Sequence, residues 1–143
     1  MRIFANLTIS LFISIILISS CAEKKDQSAF SSILSQPPFS NLTYNIKIEP
    51  SNDDLYFRRV ILLNEKNLPE PALADFKKAW SLKKIDKYAL GVSTILAEAK
   101  PDSAILFLQA ALKEVPNSFL LELSLARAYD ANNKPDEALS VCN

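Results

Sequence analysis

Three stretches decide the fold: PEPALADFKKA (69–79), PDSAILFLQAA (101–111) and PDEALSVCN (135–143). Each opens on proline, continues with an acidic residue and sets alanine beside an aliphatic residue at the fourth and fifth places. The alanines Ala72, Ala104 and Ala138 recur at nearly equal intervals. The phase extends upstream. Leu63, Ile95 and Tyr129 come nine residues before these alanines, and Val60, Val92 and Ala126 three residues earlier again. Downstream, Phe76, Leu108 and Cys142 follow each alanine by four, and Ala79 and Ala111 follow by seven.

Steps of three, four and seven place side chains on one face of an α-helix, so each unit carries two apolar stripes separated by a short break. The break reads as a helix start. Pro69, Pro101 and Pro135 suit the first helical position, where the missing N–H would have no partner anyway. Glu70, Asp102, Asp136 and Glu137 face the positive end of the helix dipole, and Asp53-Asp54 charge an earlier helix start in the same way. The alanines allow the two helices of a hairpin to approach closely, near the lower end of the usual interaxial range. Every such hairpin keeps one apolar side uncovered, which a neighbouring hairpin has to hide.

This pattern resembles the tetratricopeptide repeat, a helix–turn–helix unit of about 34 residues. In the first unit Tyr56 stands in the family's aromatic slot, Val60 in its small slot and Leu63 in its Tyr slot, followed by Ala72, Phe76 and Ala79. In the third, Leu125, Ala126, Tyr129 and Ala138 match the family residues. The resemblance implies an all-α fold, an α-solenoid of about three helix–turn–helix hairpins, within a repeat domain over 49–143. The units are 53–84, 85–118 and 119–143, and the last is truncated. Departures are specific. The SLKKIDKY junction is two residues short and lacks the proline that Pro50 and Pro116 supply elsewhere, which predicts an irregular twist there. Gly91, inside a predicted helix with Tyr88 and Ile95, leaves room for close approach of a neighbour. The third unit stops mid-helix without a terminal alanine, proline or polar cap. A fragment, a frameshifted product and a module capped by a partner all remain open.

Composition narrows the chemistry. Of 143 residues, 49% are hydrophobic and 22% charged, enough for one domain with a core. Histidine is absent and glycine occurs once. His-based catalysis, His-ligated metals and Gly-rich phosphate loops are thereby excluded. The chain is formally neutral, which argues against a nucleic-acid partner, since phosphates call for a basic face. No cofactor, metal or small-molecule substrate is expected, and no enzymatic activity.

Residues 1–20 read as a signal peptide: Arg2, then the apolar run Leu11 to Ile18, then Ser19 and Ser20. Interruptions at Asn6, Thr8, Ser10 and Ser14 count against a retained bilayer-spanning helix, which needs about 20 predominantly apolar residues. Ile18-Ser19-Ser20-Cys21 resembles the lipobox of bacterial lipoproteins, which implies lipidation of Cys21. Two or three acyl chains hold a protein on a membrane far better than one. Ala22 in place of aspartate implies, by the same resemblance, export to the outer membrane facing the periplasm. Residues 21–48 then form the lipidated N-terminus and a flexible tether stiffened at Pro37-Pro38. Within it Leu42, Tyr44, Ile46 and Ile48 alternate with polar residues, which fits either a short half-buried strand or an unstructured linker. The sequon Asn41-Leu42-Thr43 carries no meaning in a bacterial chain. With Cys21 capped, Cys142 has no intramolecular partner and reads as packing in the slot of Phe76 and Leu108. Trp80 likewise reads as packing.

The expected function is that of a non-catalytic, lipid-anchored adaptor of the bacterial envelope that holds another protein or a peptide segment. The inner face of the predicted stack comprises Phe57, Ile61 and Asn64, then Ala89, Ser93 and Leu96, then Leu123, Arg127 and Asp130. Of these, Asn64 and Arg127 are the polar candidates, two units apart. The alternative is the N-terminal fragment of a larger lipoprotein whose substrate-binding or catalytic part lies beyond residue 143.

Overall fold

The computed structural model of the chain describes residues 30–141. The signal-type segment, Cys21 and Cys142 lie outside them. Two compact units divide at residue 40. In the first, residues 30–34 are helical and the Pro37-Pro38 peptide bond is cis. The second consists of helices α1 (Ser40–Ile48, one residue of which precedes the division), α2 (Asp53–Glu65), α3 (Pro69–Leu82), α4 (Asp86–Ala99), α5 (Pro101–Glu114), α6 (Phe119–Ala131) and α7 (Pro135–Val141). Among the described residues there is no strand.

The helices begin where the sequence chemistry places them. Pro69 and Pro101 occupy the first turns of α3 and α5, and Pro135 opens α7. They pair as α2 with α3, α4 with α5 and α6 with α7, and each hairpin packs on the next. Ala72 and Ala104 are buried to 0% and 1% exposure, in equivalent places in successive hairpins. Val60, Leu63, Ala79, Val92, Leu108, Ala111 and Leu121 complete a continuous core. Each fully buried Val or Leu side chain among them contributes about 1.5–3 kcal/mol relative to exposure.

The turns within the first and third hairpins use a left-handed asparagine, whereas α4 and α5 are joined through Lys100 alone. Asn67 and Asn133 have φ of 53° and 56°. In each case the next residue's N–H reaches back over the turn, Leu68 to the Leu63 carbonyl and Lys134 to the Tyr129 carbonyl, both at 3.0 Å. These are Schellman closures, which satisfy carbonyls that the helix end would orphan. Ser118 caps α6, its Oγ accepting from the Leu121 N–H. The junction from α3 to α4 has three residues, 83–85, against four, 115–118, between α5 and α6. Gly91 is half-buried against the ring of Phe76, so the expected close approach at this glycine is present.

The extended reading of residues 42–48 is corrected: they are helical in α1. Of the alternating set only Ile46 is buried, while Tyr44 and Ile48 are 65% and 60% exposed. An isolated strand would leave its backbone groups without ladder partners, whereas a helix satisfies them within the segment. The repeat phase also reaches this far. Pro37, Ser40 and Thr43 stand in the same register as Pro69, Ala72 and Asp75, one repeat earlier, so α1 falls where a preceding unit would put its second helix.

Candidate functional site

Helices α4 and α6, the first helices of the second and third hairpins, lie side by side. Between them runs a cavity of about 390 Å³, walled by Thr94, Ala97 and Glu98 on one side and by Ser124, Arg127 and Ala128 on the other. A second cavity of about 340 Å³ lies one unit earlier, bounded by Asn64, Asn67, Phe76 and Gly91. Thr94 and Glu98 wall both cavities. The two therefore form one strip, with Asn64 at one end and Arg127 at the other. Phe76 lines the first cavity and Leu108 the second, the same repeat slot used twice.

The nine inner-face candidates divide. Asn64, Ser93 and Arg127 line the strip. Ile61 is 47% exposed, beside the strip rather than among its lining residues. Phe57 is half-buried, its ring 6.1 Å from that of Phe76 and 5.5 Å from that of Tyr88. Ala89 is fully buried core. Leu96 is buried and borders a different cavity, of about 560 Å³, with Leu73, Lys77 and Phe107. Leu123 is half-buried outside the strip, and Asp130 is exposed beside Leu139 near α7.

The candidates outside the strip share one feature. In α6 the groove stripe is Ser124, Arg127, Ala128 and Ala131, and in α4 it is Ser93, Thr94, Ala97 and Glu98. In α4 and α6 the candidates coincide with this stripe only at Ser93 and Arg127, and Leu96, Leu123 and Asp130 each fall one residue before a lining residue. One residue rotates a helical side chain by about 100°, enough to carry it out of the groove. The slot shared by Ser93 and Arg127 was the available signal: its neighbours at +1 and +4, not those at −4 and +3, share its face.

Polar chemistry at the site is arranged for shape. The hydroxyls of Ser93 and Thr94 donate to the Leu90 carbonyl at 2.9 and 2.8 Å, within their own helix. Glu98 and Arg127 are exposed and present opposite charges along the strip. Among the described residues no group of three Cys, Asp or Glu could hold a metal ion.

Two polar contacts outside the cavity linings, one buried and one part-buried, were not read from the sequence. Arg59 in α2 meets Asp75 in α3 through Nε and Nη2, both at 2.7 Å, with the residues 7% and 5% exposed. Burial pushes the Asp75 carboxyl above its usual value, against the pull of the Arg59 hydrogen bonds and charge. Tyr88 in α4 donates to Asp53 at the start of α2. Burial, then the Asp53 hydrogen bond and charge, raise the Tyr88 phenol well above its ordinary value. Trp80 packs as expected, 6.1 Å and nearly edge-on to Phe107, with Lys84 Nζ 4.6 Å above its ring.

Compared with curated proteins, the chain matches none. Residues 96–143, from the end of α4 through α7, match the tetratricopeptide repeat family. The all-α stack of helical hairpins described above is the architecture of that repeat, and its match here covers the α6 wall of the groove.

Proposed function

We propose that the protein is a non-catalytic adaptor that holds a segment of another protein in the strip running from Asn64 to Arg127. The observation that carries this reading is the adjacency of the two cavities, which share Thr94 and Glu98 as lining residues along the first helices of successive hairpins. Small walls at Ala97, Ser124 and Ala128 admit a main chain closely, and the charges of Glu98 and Arg127 give a bound segment a direction. The tetratricopeptide match supports the same reading, because stacked repeats of this type generally mediate protein–protein interaction.

Lipidation at Cys21 and a place in the bacterial envelope, with the outer membrane facing the periplasm as the site, complete the proposal. Their support is the lipobox-like Ile18-Ser19-Ser20-Cys21 after an apolar run. The test is photo-crosslinking in the native bacterium, with the cross-linking residue placed at Thr94 or at Leu106, which is 67% exposed on α5 and outside the strip. A defined adduct from Thr94 and none from Leu106 is expected. Equal labelling from both would defeat the groove, and an intact Met1 in mass spectra of the membrane fraction would defeat the lipid anchor.

A further inference from the structure

Helix α1 is held to the array differently from every helix after it. Of its nine residues only Ile46 is buried, and its backbone makes only sparse approaches to the other helices. A polar contact with the first hairpin is made by Thr43, whose Oγ1 accepts from Arg59 Nη1 at 3.0 Å. Arg59 is an unusual anchor. Its Nε and Nη2 are committed to Asp75 in a buried, two-point ion pair, so the guanidinium plane is fixed and Nη1 projects toward α1 in one direction. Thr43 and Asp75 occupy the same repeat position in successive units, and one arginine grips both.

The connection that follows α1 is pinned independently. Asn52 N–H donates to the Glu49 carbonyl at 3.1 Å, and Asn52 Nδ2 to the Glu49 carboxylate at 2.9 Å. The Tyr56 hydroxyl, from inside α2, donates to the Pro50 carbonyl at 3.0 Å. The turn at 49–52 therefore stays on the hairpin whether or not Thr43 is engaged.

We propose that α1 is a clasp: it opens about the 49–52 turn and is latched by the Thr43 hydroxyl on Arg59. In the closed state α1 covers the edge of the first hairpin where a preceding unit's second helix would lie. In the open state Arg59 keeps Asp75 but presents Nη1 at that edge, so the array has two forms that differ in one exposed cationic donor and one helix.

Hydrogen–deuterium exchange of the full chain at neutral pH, read by mass spectrometry, tests this. In the wild type, amides 43–48 exchange faster than those of 55–63. In Thr43→Val, exchange at 43–48 rises at least tenfold while 86–131 is unchanged, and Thr43→Ser, which keeps the hydroxyl, restores the wild-type rates. Unchanged exchange at 43–48 in Thr43→Val would show that the hydroxyl is no latch. Acceleration spreading equally through α4–α6, or loss of the fold, would show that α1 belongs to one cooperative unit with the array. Either result overturns the proposal.

Discussion

The Tyr88 hydroxyl donates to Asp53 Oδ2 at 2.5 Å, joining the second hairpin to the first across 35 residues of sequence. Tyr88 is 1% exposed, and Asp53 opens α2, where its charge also faces the helix dipole. One side chain therefore does two things: it fills the core between the hairpins and fixes how far α4 can rotate against α2.

Replacing Tyr88 by Phe removes the hydrogen bond and keeps the ring. A hydrogen bond to a charged group contributes about 1.5–3 kcal/mol, and the half-exposed carboxylate can recover water, so a loss of about 1–2 kcal/mol is expected in urea unfolding. The pH dependence gives a sharper signature. Because the folded phenol titrates above its ordinary value, the folded chain keeps a proton that the unfolded chain releases near pH 10, and stability falls as pH rises beyond that point. Below it the contribution is fully present. Tyr88→Phe should flatten the alkaline decline. A variant as pH-sensitive as the wild type above pH 10 would show that the phenol's surroundings are not as described.

Gly91→Ala runs against the usual expectation. In an exposed helix interior the change stabilises by about 1 kcal/mol. Here the added methyl would overlap the Phe76 ring, and overpacking of a core costs about 1–3 kcal/mol. Gly91→Ala is therefore destabilising, while Phe76→Leu in the same chain, which copies Leu108 of the next unit, recovers most of the loss. Thermal melts of the two single variants and the double variant form the cycle. Additive effects would mean that the two sites do not meet.

These positions mark where the sequence was legible and where it was not. Apolar spacing fixed the hairpins, because only burial rewards residues at three, four and seven; Ala72 and Ala104 are buried alike. Arg59 was opaque because a charged residue in a helix is ordinarily solvated. Its repeat slot carries Gly91 in the second unit and Leu125 in the third, both apolar, and that mismatch was the available sign of an interior charge. Residues 42–48 misled because four alternating apolar residues also contain the i, i+4 pair Leu42 and Ile46, so a short segment fits both periods. The groove was half legible: Ser93 and Arg127 line it, and their flanking candidates are turned about 100° away from it around the helix.

The Arg59–Asp75 pair should behave asymmetrically. Removing one partner strands a buried charge, at a cost of about 3–5 kcal/mol, whereas replacing both with apolar residues of similar volume is often neutral. Asp75→Leu alone is expected to unfold at markedly lower urea, and Arg59→Met together with Asp75→Leu to regain most of that loss. A double variant no better than Asp75→Leu would mean that the pair itself, rather than the avoidance of a stranded charge, holds α2 against α3.

Binding can be separated from folding at Thr94, which is exposed and walls both cavities. A tryptophan there fills the strip at its midpoint without entering the core, so stability should stay within about 0.5 kcal/mol of the wild type. A segment lying from Asn64 to Arg127 has to cross that point. For the partner identified by cross-linking at Thr94, affinity should fall at least roughly tenfold, equivalent to about 1.4 kcal/mol, in surface-based binding measurements. Leu106→Trp, on the exposed side of α5, serves as the control and should bind as the wild type does. If Thr94→Trp bound normally while Leu106→Trp did not, the partner would lie on the second helices of the hairpins, and the first helices would serve only to pack the stack.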